Sequence, residues 1–80
     1  MYPSIIIKVR FEDNSEVYFR LRSCNKLGKL FTRFCEHKAL VMDNVRVSYH
    51  FEAIYPDSTA ESLGLVDGGE IFATTEQAGD

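Results

Sequence analysis

Cys24, Cys35, His37 and His50 are the side chains of this chain best suited to metal or nucleophilic chemistry. Their spacing supports neither. A structural zinc site draws on closely spaced ligand pairs, and these four residues form no such pair. Cys35 falls on an apolar helical stripe, where a buried thiol is inert. Two carboxylates could act as acid and base, because acids are plentiful, but nothing in the sequence positions them. Gly64, Gly68 and Gly69 lack the spacing of a phosphate-cradling loop and read as turn and cap residues. No catalytic residue, metal or cofactor is therefore assigned, and the chain does not read as an enzyme.

Charge is the stronger signal. All nine Lys and Arg residues lie between Lys8 and Arg46. With five acids in that half, the formal charge to Arg46 is +4, and the seven acids beyond it give −7. Such polarity suits a domain that binds other proteins through a charged surface. Nucleic acid is not the expected partner, since its binders usually carry a net basic field and this chain carries −3. No apolar run approaches the roughly 20 residues needed to span a bilayer, so no membrane partner is expected. The N-terminus lacks a basic region followed by an apolar stretch, so an intracellular protein with two free thiols is expected.

Eighty residues make one domain with one modest core. Ser4–Phe11 reads as a strand. Glu12, Asp13, Asn14 and Ser15 form a polar hairpin turn. Glu16–Arg22 is a second strand, with Val17, Phe19 and Leu21 on one face and Tyr18, Arg20 and Arg22 on the other. Asn25 is the expected N-cap of a helix that carries Leu27, Leu30, Phe31, Phe34 and Cys35 inward through about Ala39. Lys26, Lys29, Arg33 and Lys38 lie off that stripe. Nothing in the sequence explains Gly28, which costs about 1 kcal/mol relative to Ala in a helix. Residues 45–51 read as a third strand and residues 53–54 as a short fourth. Ser58 and Glu61 match a capping box for a short helix that Gly64 ends. Asp67, Gly68 and Gly69 form a tight turn, and Glu70–Thr75 is the last strand. Residues 1–3 and 76–80 are expected to be flexible ends around a domain at 4–75.

The order ββαββαβ has one compact solution that buries the helical stripe against a mixed sheet. The first and last strands then run parallel at its centre. This is the α+β β-grasp, or ubiquitin roll.

At this level the chain resembles the small ubiquitin-like modifier (SUMO) family, as a divergent SUMO or SUMO-like domain. Ile7-Lys8-Val9 and Ser15 through Arg22 are similar to the first two strands of the family. Leu27-Gly28-Lys29-Leu30 and Phe34-Cys35 resemble its helix motifs, and Val45-Arg46-Val47 with Phe51 its third strand. Ser62-Leu63-Gly64-Leu65, Asp67-Gly68 and Glu70-Ile71 resemble the region before its last strand. Gln77-Ala78-Gly79-Asp80 stands where the family has Gln-Thr-Gly-Gly.

The resemblance implies a non-catalytic protein, nuclear and cytoplasmic, monomeric, read by SUMO-interacting motifs. These are short apolar segments, flanked by acids, that add as a strand beside the first helix. The matching groove residues here are Tyr18, Phe19, Leu21 and Leu30, and the matching cations Arg20, Arg22, Lys29 and Arg33. A short added strand implies a complex on the order of micromolar, about −8 kcal/mol. Asp67 and Glu70 match a contact with the SUMO-conjugating enzyme, which is expected to be weakened because Gly69 stands where an acid is usual.

The alternative is a covalent modifier attached to lysines, with activating enzyme and protease as further partners. A conjugated tail ends in flexible Gly-Gly so that it can thread a narrow channel. This sequence ends in Asp80, so conjugation would need trimming to Gly79 or a changed terminus. A third reading keeps the fold as a structural adaptor, with the Lys/Arg set as an ordinary solvated helix face.

Overall fold

A computed structural model describes residues 4–75. Its elements are β1 (Ser4–Phe11), β2 (Glu16–Arg22), α1 (Gly28–Lys38), a single 3-10 turn (Met42–Asn44), β3 (Val45–Tyr49), β4 (Glu52–Ala53), α2 (Ala60–Leu63) and β5 (Glu70–Thr75). The five strands form one sheet in the order β2-β1-β5-β3-β4. β1 pairs antiparallel with β2 and parallel with β5, so the first and last strands lie together inside the sheet. The expectations for residues 1–3 and 76–80, Gly79 among them, lie outside the described residues.

Alternation drives this arrangement. In β1, Ile5, Ile7, Val9 and Phe11 are buried while their neighbours face out. β5 does the same with Ile71 and Ala73. The α1 stripe of Leu27, Leu30, Phe31, Phe34 and Cys35 covers this face. Phe34 sits at its centre, 1% exposed, with its ring edge-to-face on Phe11 at 5.5 Å and near Phe19 at 6.5 Å. Burial of each such side chain stabilises by about 1.5–3 kcal/mol. Cys35 is buried, and desolvation raises its thiol pKa, whereas Cys24 is exposed.

Asn14 takes a left-handed φ of 70° in the first hairpin. Asp13 Oδ1 accepts the Ser15 N–H at 2.9 Å, which closes that turn from within. Gly64 ends α2 at φ 73°, as expected, and Gly68 occupies φ 87° before β5.

Four boundaries differ from expectation. Asn25 does not cap α1: the helix begins after Leu27 with no side-chain cap. The N–H groups of Leu27 and Gly28 instead donate to the carbonyls of Ser58 and Pro56, at 2.8 and 2.9 Å. The capping box joins Thr59 and Ser62, not Ser58 and Glu61, because α2 starts one residue later, at Ala60, with Thr59 as its extended N-cap. The third strand stops at Tyr49, since His50 and Phe51 turn through φ 53° and 67°. The short fourth strand is Glu52–Ala53 rather than residues 53–54. Tyr49 and Glu52 are Cα partners, so the connection is a two-residue turn with both φ values positive.

Gly28 also gains an explanation. A Cβ there would meet Pro56 Cβ at 3.2 Å, so the loop before α2 packs directly on the helix start.

Candidate functional site

β2 ends the sheet. Its outer side pairs with no described strand, which leaves backbone donors and acceptors open. Which groups point outward follows from the register. Phe11 N–H donates to Ser15 O, so the bonded pairs of the β1–β2 ladder are Val9/Val17, Ile7/Phe19 and Ile5/Leu21. The outward groups therefore belong to Glu16, Tyr18, Arg20 and Arg22. Of these, the Arg22 carbonyl already accepts the Asn25 N–H at 2.9 Å.

α1 runs beside this edge. Between them lies a shallow depression of about 90 Å³, lined by Phe19, Arg20, Leu21, Asn25, Lys29, Leu30 and Arg33. The structure thus gathers six of the eight expected groove residues. Tyr18 and Arg22 lie on exposed positions of β2 and do not line the depression. Asn25 lines it although the sequence marked it only as a helix cap. Its place between β2 and α1 was the available signal. Phe19, Leu21 and Leu30 supply the apolar floor. Among the described residues Arg20, Arg22, Lys29 and Arg33 form no ion pair, so their charge faces solvent.

Asp67 and Glu70 are both exposed, but both are engaged within the molecule. Asp67 Oδ1 accepts the Ile6 N–H at 2.8 Å and extends the β1–β5 seam. Glu70 Oε2 accepts from Arg10 Nε at 2.5 Å, and Oε1 lies 4.0 Å from Lys8 Nζ. Glu16 joins the same network through Oε2, at 2.8 Å from Arg10 and 3.7 Å from Lys8. Gly69 has a steric reason: a Cβ there would lie 3.0 Å from the Val66 carbonyl and 3.3 Å from Leu65.

The hydrogen bond from Arg10 holds the Glu70 carboxyl below its usual pKa, and bonds from Ser15 do the same for Asp13. Each acid thus adds stability above its unfolded pKa, about 4.3 for Glu and about 3.9 for Asp, that is lost as pH falls through its lower folded value. Urea midpoints should therefore drop between about pH 6 and about pH 3. Glu70→Gln should shrink that drop. Parallel curves for the two proteins would contradict it.

Two larger hollows lie elsewhere. One, of about 500 Å³, sits on the far side of α1 and includes Phe31, Cys35, Met42 and Ile54 in its wall. The other, of about 560 Å³, lies at the β3–β4 turn beside Phe51 and Phe72. No cluster of metal-ligating side chains occurs among the described residues.

A mixed five-stranded sheet wrapped on one main helix, with an open second strand, defines a ubiquitin-like β-grasp domain. A ubiquitin of Caldiarchaeum subterraneum superposes with a TM-score of 0.79 at 26% identity, covering 98% of this chain and all of that one. A design based on ubiquitin gives 0.81 at 20% identity, covering 95% and 93%, and supports the fold alone. The family described as "Ubiquitin-2 like Rad60 SUMO-like" matches residues 5–73, and the chain belongs to that SUMO-like family. The ubiquitin-like protein pmt3/smt3 of Schizosaccharomyces pombe is 35% identical over 75 residues, 94% of this chain. The chain spans 64% of that relative's length. Small ubiquitin-related modifier 2 of Arabidopsis thaliana is 28% identical over 94% of this chain and 73% of its own length. The Arabidopsis relative is described as a modifier, and neither relative's description names an enzyme.

Proposed function

We propose that this domain acts by recognition: an extended, Val/Ile-rich peptide with acidic flanks adds to the β2 edge beside α1. The carrying observation is the coincidence of three things at one place. β2 offers outward backbone groups, Phe19, Leu21 and Leu30 offer an apolar floor, and Arg20, Lys29 and Arg33 line it, with Arg22 nearby on the same strand and none of the four ion-paired among the described residues. Backbone bonding would supply affinity, and alternate side chains in the depression would supply specificity. The cations would speed encounter with acidic flanks. SUMO-interacting motifs have this chemistry. The conjugating enzyme is a weaker candidate partner, because Asp67 and Glu70 already hold internal partners and Gly69 offers no charge.

The test is a titration with such a peptide, followed by backbone NMR. Shifts should centre on Tyr18 through Arg22 and on Leu30, and should weaken as salt rises. Unmoved β2 signals would remove the reading and favour a structural adaptor.

The second reading, covalent attachment to lysines, is favoured by the Arabidopsis relative's description as a modifier. Incubation with activating enzyme, conjugating enzyme and ATP decides between them. A thioester on the chain would establish conjugation, which would act through the C-terminal tail rather than the β2 edge.

A further inference from the structure

The β2 strand reads Glu16-Val17-Tyr18-Phe19-Arg20-Leu21-Arg22, and it is complementary to its own reverse about Phe19. With a second copy laid antiparallel along the open edge and the two Phe19 residues opposed, Glu16 faces Arg22. Val17 then faces Leu21, and Tyr18 faces Arg20. By symmetry each pair occurs twice. Opposite charges, apolar pairs and aromatic pairs are all favourable when directly opposed across two strands. An Arg beside a Tyr ring adds a cation–π contact.

The backbone phase agrees with the side chains. An antiparallel ladder must oppose outward-bonding residues to outward-bonding residues. The outward set is Glu16, Tyr18, Arg20 and Arg22, and this register opposes only members of that set. Sliding two residues one way sets Arg20 against Arg20. Sliding two the other way sets Arg22 against Asn14, in the hairpin turn. The Phe19-centred register alone uses the whole strand without a like-charge pair. Two groups in it hold other bonds and still have capacity. The Arg22 carbonyl accepts from Asn25 but has a second lone pair. Glu16 meets Lys8 and Arg10 through Oε2, leaving Oε1.

We propose that a second copy of this chain is a ligand of the β2 edge, pairing about a twofold axis at Phe19 into a continuous ten-stranded sheet. Self-pairing then competes with peptide for the same groups. That competition, though not the pairing, rests on the recognition reading above. The two basic α1 faces, with Lys29 and Arg33, repel across the seam, and one strand pair buries less than the roughly 1,000 Å² of a stable interface. The dimer is accordingly weak, with Kd on the order of 1 mM. It matters where copies are tethered or concentrated.

The experiment is NMR of the full chain from about 20 μM to about 2 mM, reading amide shifts and translational diffusion. Saturable shifts at Tyr18, Arg20 and Arg22 with slowing diffusion are expected, as are contacts between Phe19 rings of labelled and unlabelled copies. Arg22→Glu opposes two acids at each end and should raise Kd at least about tenfold. The exchange Glu16→Arg with Arg22→Glu reverses the pair and should recover affinity to within about threefold. Shifts independent of concentration, or Phe19 contacts absent at about 2 mM, would overturn the proposal. A peptide titration at about 20 μM, where the chain is monomeric, tests recognition separately. Failure there with self-pairing intact would overturn the recognition reading and leave the pairing standing.

Discussion

Tyr18→Pro keeps the domain folded and loses the acid-flanked peptide, while Phe19→Pro, one residue on, strongly destabilises the fold. The difference comes from which way two neighbouring N–H groups point. Tyr18 N–H faces the open edge, so proline there removes no bond of the sheet, and edge strands tolerate proline. An incoming strand, however, loses a donor and meets the ring. Peptide affinity should fall at least about tenfold, or about 1.4 kcal/mol. Tyr18→Ala is the control. The Tyr18 side chain lies outside the depression, so the alanine variant should bind within about twofold of the parent. Phe19 N–H belongs to the β1–β2 ladder, and its ring packs near Phe34 at 6.5 Å. Proline there should cost about 3 kcal/mol or more. Circular dichroism melting reads the fold and NMR titration reads the binding. Full peptide affinity in folded Tyr18→Pro would refute strand addition at this edge.

Phe34→Ala should remove about 3–5 kcal/mol of stability. Phe34 is among the most deeply buried large side chains, and it joins α1 to β1 through Phe11 and to β2 through Phe19. Its loss leaves a cavity where three elements meet. Small domains hold about 5–15 kcal/mol in all, so the urea midpoint should fall by roughly a fifth or more with an unchanged slope. Tyr55→Ala, at a residue 67% exposed, should stay within about 0.5 kcal/mol of the parent. A Phe34→Ala loss below about 1 kcal/mol would mean that the core sits elsewhere.

Much of this molecule was legible because its signals are local. Clean alternation in β2 marked its inward face, β-branched residues marked β1 as a strand, and the helical spacing of Leu27, Leu30, Phe31 and Phe34 marked the stripe that covers them. The groove residues came from the resemblance to the SUMO family, since the two patterns alone describe only a half-buried strand and a core helix. What was not legible depends on distant partners. Asn25 looked like a cap because nothing nearby reveals that Ser58 and Pro56 satisfy the first N–H groups of α1. The capping box slipped by one residue because α2 starts at Ala60, one position later than Ser58 and Glu61 suggested. Gly28 and Gly69 looked like arbitrary departures until Pro56, Val66 and Leu65 were found against them. The β3–β4 turn carried no warning at all, because His50 and Phe51 are not the Asn and Gly that such a turn favours.

The strand made last sits in the middle. β5 separates β1 from β3, so neither can settle against its final neighbour until residue 75 exists. Synthesis on a ribosome proceeds from the N-terminus, so until β5 emerges the chain holds an unfinished sheet in which the inner edge of β1 has no partner. Closure of the sheet therefore waits on the pairing most distant in sequence, the kind of contact that makes folding slow.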